Sequence, residues 1–133
     1  MSMSNTTEND ILKMSLVGTD PLWRVGANVY LALFTADPTE SGVFTDEATF
    51  TGYARVLMAK ATSWTDGGST FTNANLVQFP QCTGGTNTIT HFAVCTLATA
   101  GQILYSGALN SPLAISNGIQ PQFGIGSVSI NLD

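Results

Sequence analysis

The titratable residues of this chain are few, and their spacing decides which reactions are open to it. Asp37, Glu40, Asp46 and Glu47 gather in one short stretch. Paired carboxylates can share acid–base work or hold calcium, but the EF-hand spacing is missing, and the group reads as a solvated loop. That loop is entered from "NVYLALFTADP", residues 28–38, an apolar run ending in Asp37-Pro38. Asp in such a place hydrogen-bonds its own backbone and Pro fixes φ. The run therefore reads as a core strand that ends in a turn, not as a strand that delivers a catalytic carboxylate. His91 is the single histidine and lies in a strand-like stretch. A nucleophilic triad could be built on it only with a Ser and an Asp, and no G-x-S-x-G elbow is present. A lone strand histidine is expected to be a hydrogen-bonded structural residue. Cys82 and Cys95 have neither a CxxC partner nor a His cluster nearby, so they read as reduced thiols behaving as small hydrophobes, with Cys95 buried. Gly67-Gly68 and Gly84-Gly85 lack the Lys-Ser/Thr and the following helix of a phosphate loop. The sequence offers no metal-ligand cluster, and no cofactor is expected.

Bulk properties narrow the classes further. The length of 133 residues suits one domain, residues 1–133, with a real core. Charged residues make up only 10 % of the chain against a usual quarter, and Thr, Ser, Asn, Gln and Gly carry the polarity. The net charge is −5 with four basic residues, too few to neutralise a run of phosphates or to hold an anionic membrane. Neither nucleic acid nor membrane is an expected partner. The longest apolar runs fall well short of the roughly 18 residues of a transmembrane helix. "MSMSNTTENDILK" has no basic region followed by an apolar core, which argues against a signal peptide and for synthesis in a cytoplasm.

The elements that would position these residues are mostly strands. The one helix expected lies at about residues 5–17. Asn5 and Glu8 have capping-box spacing, Ile11, Leu12, Met14, Leu16 and Val17 form an apolar stripe, and Gly18 is a natural stop. Leu22 and Trp23, after Asp20-Pro21, are either a staple onto the core or part of a partner surface. Val29 to Phe34 is apolar on both faces, so both should be covered. A long polar connection, residues 35–52, carries Phe44 and Phe50, and loops of this length are usually functional or packed. Asp66-Gly67-Gly68 marks a hairpin. A long strand over 88–97 should place Ile89, His91, Ala93 and Cys95 on one face. A strand over 102–109 should break at Asn110-Ser111-Pro112. Asn117-Gly118 signals a turn, and the apolar residues switch face near Gly126, which predicts a bulge or bend there. About eight short strands at ten-residue spacing point to a mainly β protein, an antiparallel, jelly-roll-like β-sandwich with one short N-terminal helix.

In order along the chain, "YLALFTADPTESG", "GYARV", "VQFPQCTGG", "ITHFAV", "GQILYSGAL" and "SVSINLD" resemble a family of short virion structural proteins of tailed bacteriophages, often labelled tail-fibre or head decoration (cement) proteins. The similarity covers almost the whole chain. It departs from the family pattern at Asn87, where an aromatic residue is common, and near Cys95, where an acidic one is. The resemblance implies a β-sandwich with a structural role in a virion and no enzymatic activity. The first expectation drawn from it is a capsid cement protein on the outer surface of the shell, bound to the major capsid protein and to copies of itself as a dimer or trimer, and resisting internal pressure. A tail or tail-fibre component or adaptor is the alternative, and a carbohydrate-binding module using Trp23, Trp64 or Tyr53 is a further one. Leu22, Trp23, Phe44 and Phe50 are the expected interface anchors, since aromatic and large apolar residues dominate interface energetics. The competing reading is that they cap the open ends of the sandwich.

Overall fold

The computed structural model describes residues 2–132. In chain order the elements are β1 (Ser2–Met3), α1 (Asn5–Leu16), α2 (Leu22–Val25), β2 (Asn28–Phe34), β3 (Val56–Ala59), β4 (Trp64–Asp66), β5 (Thr70–Asn73), β6 (Val77–Gln78), β7 (Asn87–Cys95), β8 (Ile103–Ile115), β9 (Gln122–Phe123) and β10 (Ser129–Asn131). All the strand pairs are antiparallel. A five-stranded sheet runs β1-β8-β7-β2-β3, and a second layer is divided into β10-β5-β4 and β6-β9.

β2 occupies the interior of the larger sheet, and this explains its unbroken apolar run. Val29, Leu31 and Leu33 face the core between the layers, with Phe79, Val77 and Val128. Ala32 and Phe34 face the other way and pack with Ala93, Cys95 and Ile103 under Phe44. Burying both faces of one strand is what the "VYLALF" pattern demands.

The turns follow their signals. Gly68, at φ +88°, closes the β4–β5 hairpin, and its N–H donates to Asp66 Oδ1 at 2.8 Å. The chain turns at Asn117-Gly118, where Ile119 N–H donates to Ser116 O. Gly124 to Ser127 forms the expected bend, separating β9 from β10.

Three expectations need correction. Ser4, not Asn5, caps α1, and its Oγ accepts from Thr7 N–H. The alternation in β7 is broken by a register shift between Ile89 and His91, so Ile89 joins Phe92 and Val94 in the main core instead of sharing a face with Ala93 and Cys95. β8 continues as one strand through Asn110-Ser111-Pro112. Its pairing is interrupted there all the same, because the register passes from Ala108 opposite His91 to Leu113 opposite Ile89. Pro112 is tolerated because it falls in that unpaired stretch, where no ladder donor is needed.

Both cysteines are free and buried. Burial pushes the Cys95 thiol up from the ordinary 9.0 to about 12, against the opposing pull of the Arg55 charge. In the native protein at pH 8, neither thiol should react with a chromogenic disulfide reagent, and both should titrate in guanidinium. A folded acid group with a raised pKa contributes stability that is complete below its unfolded value and lost as pH rises through the folded one. Cys95 therefore destabilises the fold from about pH 9 upward, measurable as a urea midpoint that falls between pH 8 and 10 and falls less steeply in Cys95→Ala.

Candidate functional site

Helix α1 is attached to the sandwich by its polar side. Ser4 Oγ and Thr7 Oγ1 both donate to Ile103 O. Gln102 Nε2 donates to Thr7 Oγ1 at 2.9 Å and to Asp10 Oδ2 at 3.1 Å. Ser4, Thr7 and Asp10 recur at three-residue spacing, one helical face, and that face meets the start of β8. The apolar stripe is thereby divided between the sheet and the solvent. Leu12, Leu16 and Val17 are exposed, Leu16 at 77 %, while Ile11 and Met14 are half-buried.

Asp10 also fixes the segment after α1. Its Oδ2 accepts from Trp23 Nε1 at 2.8 Å, and Trp23 O accepts from Lys60 Nζ. The Trp23 ring packs against the main core. Held at both ends in this way, α2 projects Leu22 and Val25 into solvent, at 93 % and 78 % exposure. Leu12, Leu16, Val17, Leu22 and Val25 thus stand exposed on two short helices that follow one another in the chain.

The four expected anchors do not converge. Leu22 is exposed, while the neighbouring Trp23 packs against the main core and bonds Asp10. Phe44 is half-buried, 6.4 Å from Phe34 by ring centroid and 4.9 Å beneath the Arg55 guanidinium. Phe50 is a core residue at 3 % exposure, edge-on to Tyr53, and offers no surface to a partner. Leu12, Leu16, Val17 and Val25 are further exposed apolar side chains that the sequence reading does not single out as anchors. The sequence signal for them was the polar Ser4–Thr7–Asp10 row, which competes with the apolar stripe for the inward face.

The acidic stretch splits into different jobs. Asp37 Oδ1 accepts from Thr39 N–H at 2.8 Å, the backbone bond expected of an Asp-Pro turn. Glu47 is held by Arg55 through Nε at 2.7 Å and Nη2 at 2.8 Å, and accepts from the Tyr53 hydroxyl at 2.6 Å. Burial raises the Tyr53 hydroxyl pKa, and the bond to Glu47 raises it further. His91 Nδ1 lies 2.8 Å from Thr90 Oγ1. Among the described residues no group of three or more His, Cys, Asp or Glu could hold a metal ion, and no helix is long and apolar enough to cross a membrane. A cleft of about 420 Å³ between the layers is walled by Val29, Lys60, Trp64, Phe71, Leu104 and Tyr105.

Compared with known protein families, residues 2–131 match the model of the podophage GP4 fiber I protein gp80. The chain belongs to this family. Members of the gp80 family are structural proteins of phage virions, carrying a tail-fibre label, and the β-rich fold is consistent with that. No curated protein matches the chain.

Proposed function

We propose that the chain is a rigid structural component of a phage fibre, seated against a neighbouring virion subunit through the apolar face of α1 and α2. The observation that carries this reading is the exposed part of the apolar stripe on α1. A helix that spends its polar face on its own sheet and leaves Leu12, Leu16 and Val17 in water is arranged for a partner that covers them. The fibre designation of the matching family supports the location. A scarcity of charge suits surfaces that meet other subunits, because neutral polar groups cost less to desolvate than ions.

A capsid cement role, with the major capsid protein as partner, is the second reading. It is favoured by shape: the longest helix among the described residues has 12 residues, and the strands build one sandwich without a shaft. Copy number separates the two. Densitometry of purified particles giving a few to a few dozen copies supports the fibre, whereas hundreds support cement. Immunogold labelling of intact particles gives the position directly.

The docking face has its own test. Leu22→Asp should fold like the parent, because the side chain is almost wholly in solvent, yet its incorporation into particles should fall at least tenfold. Leucine removed from the centre of an interface and replaced by a charge loses its own burial and forces the desolvation of a carboxylate. Incorporation at the parental level would refute a role for this face.

A further inference from the structure

The cleft between the two layers has a direction. Its floor crosses the five-stranded sheet: Leu104 and Tyr105 come from β8, Val94 from β7 and Val29 from β2, and Lys60 follows directly on β3. Strands lie about 4.8 Å apart, so the floor measures roughly 14 Å from β8 to β3. The opposite wall is Trp64 of β4, Phe71 of β5 and Ile130 of β10. The volume of about 420 Å³ falls in the usual range of small-molecule sites. Val29, Val94 and Leu104 are buried, whereas Phe71 and Leu132, also in the lining, are partly open to solvent at 40 % and 51 % exposure, so the mouth is accessible.

The one charged residue of the lining stands at one end of this trough. Lys60 is half-buried. One of its three N–H groups donates to Trp23 O, and among the described residues no carboxylate pairs with it. A cation partly withdrawn from water without a counter-ion is costly, and its other two donors remain to be used. We infer that the cleft binds a medium-chain aliphatic carboxylate, with the chain along the floor and the carboxylate accepting from Lys60 Nζ. Val29, Val94 and Leu104 give the chain an aliphatic bed, and Trp64 and Phe71 cover it from the opposite layer. A single negative charge suits the site better than a dianion, because the chain as a whole carries −5. The site makes no use of the exposed leucines of α1 and α2, so it stands or falls independently of the docking reading above.

Isothermal titration calorimetry on the full chain, with decanoate kept below its micelle concentration, tests the site. Decanoate should bind saturably, one per chain. Decanol has the same chain without the charge and should bind about tenfold more weakly, the usual worth of a charge-assisted hydrogen bond. Lys60→Met should bring the two ligands to the same affinity, and Lys60→Arg should keep the preference for decanoate. Leu104→Phe, with a parental circular dichroism melt, should weaken both ligands by filling the floor. Binding should also shift the tryptophan fluorescence, and the shift should vanish in Trp64→Phe, which leaves Trp23 in place. No saturable decanoate binding up to the micelle limit, equal affinity for decanol in the parent, or a preference that survives Lys60→Met would each overturn the inference. Affinity unchanged in Leu104→Phe, or a fluorescence shift that persists in Trp64→Phe, would put the ligand elsewhere and overturn it as well.

Discussion

Arg55→Ala lowers the stability of the fold by about 3 kcal/mol, the lower end of what breaking a buried ion pair costs. The Arg55 side chain is 3 % exposed and that of Glu47 is 18 % exposed, so the stranded carboxylate keeps a partial view of water. Four bonds are lost together. The guanidinium grips Glu47 with Nε and Nη2, and its Nη1 donates to Leu97 O at 2.7 Å and Ala100 O at 2.8 Å. The second pair of bonds matters for the turn after β7. Ala100 sits at φ +52°, unfavourable for a residue with a Cβ, and Gly101 at φ +78° has no room for one, since a Cβ there would lie 2.7 Å from Thr96 Oγ1. Arg55 holds this strained turn and the 35–52 connection in one clasp. With an m-value of about 1.5 kcal/mol/M, the urea midpoint falls by about 2 M. Arg55→Lys should recover only a small part of the loss, because an ammonium cannot make the forked contact. A midpoint shift below about 0.5 M in Arg55→Ala would show that the clasp contributes little.

That clasp also marks a limit on what the sequence discloses. Arg55 and Glu47 are eight residues apart on a connection without periodicity, and nothing local pairs them. The same holds for Tyr53, whose hydroxyl accepts from Leu33 N–H at 3.2 Å while donating to Glu47. Features set by short-range rules were readable: the doubly buried strand β2, the Asp66-Gly67-Gly68 hairpin, the turn at Asn117-Gly118 and the bend before β10. The extent of α1 was readable too, but not which side it turns inward. Hydrophobic periodicity says that a helix has two faces, and assigns the apolar one to a core by default. Here three polar residues, Ser4, Thr7 and Asp10, find partners at Gln102 and Ile103, almost a hundred positions away. Burying hydrogen-bonded groups there satisfies the helix N-terminus and leaves Leu12, Leu16 and Val17 in solvent. Phe50, an expected anchor, is buried for the converse reason. A polar connection around an aromatic residue looks like exposed loop, yet isolated bridges from Phe34 to Glu47 and from Thr51 to Gly84 draw that part of the connection onto the sandwich.

Asn73 is the residue whose loss should most disturb the second layer, and its sequence context, "STFTNANLV", gives no warning of this. It is completely buried at the end of β5. Its Nδ2 donates to Asn75 O at 2.8 Å and Gly124 O at 2.9 Å, and its Oδ1 accepts from Val128 N–H at 2.9 Å. The backbone of the same residue bonds to Val128 and Gly126 as well. One side chain thus fixes both ends of the bend that carries the chain from β9 into β10, and keeps Val128 pointed into the core. Asn73→Ala strands two carbonyls and one N–H, and at about 1–3 kcal/mol for each buried unsatisfied group the fold should lose about 3–4 kcal/mol. Asn73→Asp separates the hydrogen bonds from the space the side chain fills. It keeps the acceptor for Val128 but aims a carboxylate at two carbonyl oxygens. Burial and those oxygens raise the folded pKa of the introduced carboxyl above its unfolded value near 3.9. Its neutral form is therefore favoured in the fold, and the variant's deficit relative to the parent should be smallest below about pH 4 and grow as pH rises toward neutrality. Paired urea titrations of parent and Asn73→Asp at pH 4 and pH 7 measure this difference. A deficit independent of pH would mean that the two carbonyls turn away from the carboxylate, and that Asn73 acts by filling space and not by its amide.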